Sequence, residues 1–167
     1  MLDEILKNMS LFVDGRGYAG NVEEVSLPKL ALKTEEFKGG GMDAPMEIDM
    51  GMEKLECEFT LTKFDRDVLK LFGLSPGRVT PLTMRGHIES EDGSFGAVIV
   101  NLRGKVREID FGNWKPGDKA TIKVSVALSY YKLTHSGEVL HEIDVAGMKR
   151  IIGGIDQLAA TRASLGL

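Results

Sequence analysis

Thiol chemistry is scarce in this chain: one cysteine, Cys57, stands among 167 residues and has no partner for an intramolecular disulfide. A basic excess is missing too. The 21 Lys and Arg are outnumbered by 25 Asp and Glu, for a net charge of -4, and affinity for nucleic acid depends on cations that neutralise phosphates and release counterions. Any DNA contact is therefore expected to be weak. No apolar run approaches the ~20 residues a membrane helix requires. The first residues, Met-Leu-Asp-Glu-Ile-Leu-Lys-Asn, lack the basic start and apolar stretch of a secretory signal, so folding is expected in the cytoplasm. The only imidazoles, His87, His135 and His141, include no pair at the i, i+4 spacing of a helical zinc site and read as solvated strand histidines. No repeat of fixed period and no low-complexity segment is present.

What remains is the composition of an ordinary folded domain, with 43% apolar and 28% charged residues. The length suits a single domain over residues 1–167 with one core. The 20 glycines, scattered without a period, favour tight turns and a strand-rich fold over a helical bundle. Residues 22–33 mix β-branched and leucine positions around Pro28, which predicts a kinked or edge strand. Over 46–62 the alternation is clear but changes phase. Met46, Ile48, Met50 and Met52 share one face, then Leu55, Cys57, Phe59 and Leu61 become the apolar set, so a bulge or turn is predicted near Glu53 and Lys54.

A short helix is expected over 65–72, with Asp65 as its cap, Val68, Leu69 and Phe72 at helical spacing, and Gly73 as its stop. Strands are expected at 82–89, 95–102 and 106–111, with a turn at 91–94. The strongest strand signal is the unbroken alternation of Ala120, Ile122, Val124, Val126, Leu128 and Tyr130. Ser136 and Gly137 form a two-residue turn that returns 138–143 on it, in the register that sets Val139 beside Thr134. Residues 156–165 read as a second helix, with Leu158, Ala159, Arg162 and Leu165 on one face. The fold class expected from these runs is mainly β (α+β), with a flanking short helix and a C-terminal helix.

Candidate chemistries fall to simpler readings. Gly15, Gly17 and Gly20 spell G-x-G-x-x-G after the apolar run 11–13, but the dinucleotide motif works through a following helix N-terminus, and the acidic, extended stretch ending at Pro28 offers none. A glycine-rich hairpin turn is the better account. Residues 112–119 space two glycines as in a P-loop, yet Asp118 occupies the position of the required Lys and would repel phosphate. Cys57 lies in the apolar phase of its strand and reads as a buried, inert thiol. Glu56 and Glu58 share a strand face, the ordinary solvated side of a half-buried sheet as well as a geometry for acid/base work. Met42, Met46, Met50 and Met52 suit either an adaptable protein contact or core filling. The run Gly39, Gly40, Gly41, Met42, Asp43, Ala44, Pro45 is costly for one subunit to order. It reads either as a flexible hairpin tip or as a loop ordered against a neighbouring subunit.

Several long segments resemble the major tail tube proteins of temperate contractile-tailed phages, a family that includes R-type bacteriocin tubes. They are Asn-Met-Ser-Leu-Phe-Val-Asp-Gly-Arg-Gly-Tyr-Ala-Gly at 8–20, Leu-Pro-Lys-Leu at 27–30, and Lys-Thr-Glu-Glu-Phe-Lys-Gly-Gly-Gly-Met-Asp-Ala-Pro at 33–45. Further matches are Ile-Asp-Met-Gly-Met-Glu-Lys-Leu-Glu at 48–56, Phe-Gly-Leu at 72–74, Asn-Trp-Lys-Pro-Gly-Asp at 113–118, Ser-Tyr-Tyr-Lys-Leu at 129–133, Ile-Asp-Gln-Leu-Ala at 155–159 and the final Leu-Gly-Leu. The resemblance thus runs in order through nearly the whole chain.

The resemblance implies a small antiparallel β-sandwich or barrel with a flanking helix, in a non-enzymatic virion structural protein without cofactor or metal that self-assembles into hexameric rings stacked as the inner tube of a contractile tail. Its implied partners are further copies of itself, the tail sheath, the baseplate or tube initiator, the tape measure and the tail terminator. DNA would pass through the lumen without specific binding. The implied location is the virion tail, after assembly in the host cytoplasm. Within this reading, the strands in 46–62 and 119–133 are expected to line the lumen, with Glu47, Glu56 and Glu58 as lumenal carboxylates that repel phosphate. The loop from Gly39 to Pro45 and the N-terminal segment are expected to join ring to ring. Three alternatives are the tube of a type VI secretion-like machine, which shares the architecture, a small-molecule-binding enzyme using residues 15–20, and a monomeric binding module that uses the exposed sheet.

Overall fold

The computed structural model describes residues 2–167. Twelve strands and two short helices follow in order: β1 (Glu4–Val13), β2 (Arg16–Gly17), β3 (Val22–Ser26), β4 (Leu32–Phe37), β5 (Met46–Met52), β6 (Glu56–Leu61), α1 (Arg66–Leu69), β7 (Thr80–Ser90), β8 (Phe95–Asp110), β9 (Ile122–His135), β10 (Glu138–Asp144), β11 (Lys149–Ile152), β12 (Ile155–Asp156) and α2 (Ala159–Ser164). Ten strands form one antiparallel sheet in the order β12-β11-β10-β9-β8-β7-β1-β2, and β6 and β3 branch from β9. β4 and β5 pair only with each other, as a separate hairpin.

The branch point is β9, which changes partner along its length. Along one edge it pairs first with β6 (Leu61↔Ile122 to Glu56↔Ala127), then with β10 (Tyr130↔Asp144 to His135↔Glu138), while β8 runs along its other edge. The sheet therefore has a limb β3-β6-β9-β8 and a limb β10-β9-β8-β7-β1. It closes on itself because the apolar phases of both limbs face inward: Leu11, Val13, Leu82, Met84, Val100 and Leu102 meet Phe59, Leu61, Ile122, Val124 and Val126 in one core. Backbone bonds from Tyr18 to Leu11 and from Val22 to Tyr18 hold β1 and β3 together across the opening. The result is the small antiparallel, sandwich-like fold with flanking short helices that the resemblance implies.

Gly104 shows why a glycine is needed where β8 crosses β9. A Cβ there would lie 2.3 Å from the Ala127 carbonyl oxygen. The pairing steps from Arg103↔Tyr130 to Gly104↔Leu128, leaving Ser129 as a bulged residue whose carbonyl accepts instead from the Val145 N–H. This bulge corrects the expected unbroken alternation of β9. Ile122, Val124, Val126 and Leu128 are buried, but the inward aromatic is Tyr131, not Tyr130. Tyr130 instead bonds Glu142 at 2.8 Å and carries the Arg103 guanidinium on its ring.

Other expectations are met or corrected in detail. The two-residue turn at Ser136 and Gly137, both at positive φ, joins β9 to β10 with Val139 opposite Thr134. Asp65 caps α1 by accepting from the Val68 N–H at 3.1 Å. The phase change at Glu53 and Lys54 is a true break, and it separates β5 from β6 into different sheets. Residues 22–33 are not one kinked strand: β3 stops at Ser26, and the chain reaches β4 only after Pro28. The strands expected at 95–102 and 106–111 are one strand, β8, because the turn-like Arg-Gly-Lys at 103–105 is absorbed by the bulge. α2 is shorter than 156–165, and its expected apolar face covers no core: no residue of α2 is buried and Leu165 is exposed.

Candidate assembly surfaces

The sites suggested by short motifs resolve into structure. Asp14 and Gly15, both at positive φ, form the β1–β2 hairpin turn, and the chain after Gly20 enters strand β3 rather than a helix. The phosphate-cradling geometry is therefore lacking. Residues 112–119 are loop, with Gly117 at positive φ. Cys57 is buried, and desolvation followed by the neighbouring Glu58 charge pushes its thiol up to about 12, so it is a poor nucleophile. Among the described residues no group of three or more His, Cys, Asp or Glu is placed to hold a metal ion, and no helix is long and apolar enough to cross a membrane. Of the histidines, His87 is half exposed beside Glu89. His141 departs from the solvated reading, since it stacks on Tyr131 and its Nδ1 is buried without a hydrogen-bond partner.

The carboxylates expected to act together are separated. Glu56 and Glu58 lie on the outer face of β6, opposite Ala127 and Ser125 of β9. They do not stand as bare charges: Glu56 pairs with Arg107 at 2.8 Å, and Glu58 pairs with Lys123 at 3.3 Å and accepts from the Ser125 hydroxyl at 3.2 Å. Glu47 is on β5, opposite Glu36 in the separate hairpin. The outer face of β3-β6-β9-β8 also carries Glu24, Glu108 and Asp110, all exposed. Among the described residues no strand lies along either lateral edge of this limb, and Phe72 makes a single parallel bridge to Val106 at the β8 edge. β3 pairs only with β6, and β7 leaves β8 at Gly104, so residues 107–110 are paired on the β9 side alone.

The β4–β5 hairpin emerges where β3 ends and β6 begins. Gly39, Gly40, Gly41, Met42, Asp43, Ala44 and Pro45 form its tip, with Met42 Sδ accepting from the Gly39 N–H at 3.1 Å. Every residue of β4 is exposed, and Phe37, Met46, Ile48 and Met50 leave about half or more of their surface in solvent. Met46 and Met50 are therefore not core filling in the isolated subunit, whereas Met52 packs against the core. Only the base of the hairpin is anchored. Asp49 ion-pairs with Arg150 of β11, and the Gly51 N–H, followed by the Arg150 guanidinium, holds the Asp49 carboxyl below its ordinary range. Met52 and Leu55 line a cleft of about 380 Å³ with Leu128, Ile143 and Leu158.

A second apolar group lies at the other end of the same limb, where β6 and β8 finish and β9 starts. Phe64 contacts Phe111 at 5.5 Å and Trp114 at 6.0 Å between ring centroids, and Trp114 is 79% exposed. Sequence periodicity misses this cluster because its members sit in turns; the signal was the large aromatic inside Asn-Trp-Lys-Pro-Gly-Asp, which no core position explains. The N-terminal half of β1 is likewise exposed, including Ile5 and Leu6. Soluble monomers rarely leave so many large apolar side chains in solvent, and contiguous patches of this kind mark contact surfaces.

Comparison with known proteins agrees with a chain built for contact. The chain is 35% identical over 166 residues to the tail tube protein of Escherichia phage P2, an alignment that covers 97% of this chain and 96% of that one. It is 31% identical over 142 residues to the major tail tube protein of Serratia phage KSP20, covering 84% and 82%. Its fold matches a chain of the sheath–tube complex of an extracellular contractile injection system in the extended state, with a TM-score of 0.57 at 10% identity over 75% of this chain and 87% of the other. The family model described as phage tail tube protein FII matches residues 3–166, and the chain belongs to that family.

Proposed function

We propose that copies of this chain close edge to edge into hexameric rings and stack, inside a contractile sheath, as the hollow inner tube through which DNA leaves the phage. The role in the tail is that of a tail tube protein, and membership in this family implies a structural rather than a catalytic task. The observation that supports the ring is the β3-β6-β9-β8 limb. One face is core, the other is polar, and its two lateral edges offer unpaired backbone groups. Joining β3 of one copy to the 107–110 edge of the next satisfies both rows of donors and acceptors, and closure leaves no edge to aggregate.

In that arrangement the polar face becomes the lumen. Its lining is Glu24, Glu108 and Asp110 together with the Glu56–Arg107 and Glu58–Lys123 pairs. The paired glutamates fix the cations and lower their power to bind phosphate, while the unpaired carboxylates repel it, so a polyanion meets few counterion-releasing contacts. Glu47 belongs to the hairpin, outside this lining. The glycine tip at 39–45 and the exposed N-terminal half of β1 then serve contacts between rings, and the sheath covers the outside.

Electron microscopy and sedimentation of the purified protein test the proposal directly. Rings or tubes are expected at high concentration; a lone globule at every concentration overturns it. Deletion of residues 39–45 is expected to leave rings or monomers, and tubes of normal length from that variant would remove the tip from the contact.

A further inference from the structure

Resting on the tube reading above, we infer that the apolar face of the β4–β5 hairpin docks on the Phe64–Phe111–Trp114 cluster of a copy in the adjacent ring, so that one subunit carries both halves of the axial joint. The argument begins with where the two patches lie. The hairpin is inserted between Ser26 and Glu56, at one end of the β3-β6-β9-β8 limb, and the aromatic cluster follows Leu61 and Asp110 at the opposite end. A strand of the length of β6 separates the two ends by roughly 20 Å, so the patches cannot meet within one chain. A contact between unlike patches at opposite ends of a subunit is head-to-tail, and such a contact repeats without limit along an axis.

Chemistry selects the pairing. Trp114 is a rigid, wide aromatic with 79% of its surface exposed, and tryptophan is prominent among the residues that dominate interface energies. Phe37, Met46, Ile48 and Met50 offer the adaptable apolar surface that such a ring seats against. Charge agrees. Around its apolar row the hairpin carries Glu35, Glu36, Asp43 and Glu47 against Lys33 and Lys38, whereas the aromatic cluster is flanked by Lys63, Lys115 and Lys119 against Asp110 and Asp118, with Lys119 paired to Glu23 at 3.7 Å. The acidic excess of the hairpin is therefore complemented by Lys63 and Lys115, which make no ion pair among the described residues, and such complementarity sets orientation and register at a contact of this kind.

The only tryptophan of the chain is Trp114, so its fluorescence reports the joint without any substitution. Wild-type tubes are expected to emit at shorter wavelength than unassembled protein and to resist acrylamide quenching several-fold better. In parallel, the singly substituted proteins Met46→Cys and Trp114→Cys, mixed and oxidised after assembly, are expected to give disulfide-linked dimers that neither gives alone; Cys57 is buried and stays out of the reaction. Tubes in which Trp114 remains as quenchable as in the free subunit overturn the docking while leaving the tube intact. Protected Trp114 without the mixed dimer overturns it too, because another surface then covers the ring. Failure of the wild-type chain to form tubes at all removes the tube reading and this joint with it.

Discussion

At the residue scale, the fold depends on a few positions where no other side chain serves. Gly104 is the clearest. With a Cβ position 2.3 Å from the Ala127 carbonyl and 3.0 Å from the Leu128 Cα, the obstacle is backbone and cannot rotate away. Gly104→Ala is expected to destabilise the subunit by about 1–3 kcal/mol, read as a lower urea midpoint. Titration gives a second residue-level outcome. Burial, then the Asp65 hydrogen bond, pushes the Tyr18 hydroxyl well above its ordinary 10.0, and burial with Glu142 pushes Tyr130 up to about 12. The Cys57 thiol rises from 9.0 to about 12. All three are held protonated in the folded chain, so above their ordinary values the unfolded chain sheds protons first. Their stabilising contribution is complete below pH 9 and is lost as pH climbs toward 12. Unfolding midpoints measured from about pH 8 to about pH 11 are expected to fall, and Tyr18→Phe together with Tyr130→Phe is expected to flatten the decline.

At the element scale, the hairpin and the sheet obey different rules. β6 and β9 were legible because one face of each is core: Cys57, Phe59 and Leu61, and Ile122, Val124 and Val126, alternate with polar neighbours as burial demands. The same alternation in Met46, Ile48 and Met50 marks a face that its own chain leaves about half exposed. Periodicity reports an apolar face, not what covers it, which is why the sequence left core filling and protein contact equally open. Bulges are the other illegible feature. The crossing at Ser129 and the continuity of β8 through 103–105 arise from close packing of two strands, a long-range condition with no local signature. The anchor of the hairpin was equally hidden, since Asp49 and Arg150 are 101 residues apart. Asp49→Ala is expected to free the hairpin base, raising the rate of limited proteolysis within 32–52 while the thermal midpoint of the sheet changes little. Equal cleavage rates in variant and parent would show that Met52 and Leu55 hold the base without the ion pair.

At the scale of the whole molecule, charge is arranged by face. Replacing Glu24 and Glu108 with Lys reverses two of the three unpaired carboxylates of the polar face, leaving Asp110, without touching the Glu56–Arg107 or Glu58–Lys123 pairs. Tubes carrying both changes are expected to retain DNA in a filter-binding assay at low salt and to release it as salt rises, whereas parent tubes retain little at any salt. Equal retention by both would remove electrostatics from the conduit's design. The shared strand β9 has a mechanical consequence as well. Its bonds to β6, β8 and β10 run crosswise to the strand, so a stretch directed along β9 loads whole ladders in shear at once instead of peeling them bond by bond. A subunit gripped in that direction yields late and all together, which is the response of a stiff strut rather than of a spring.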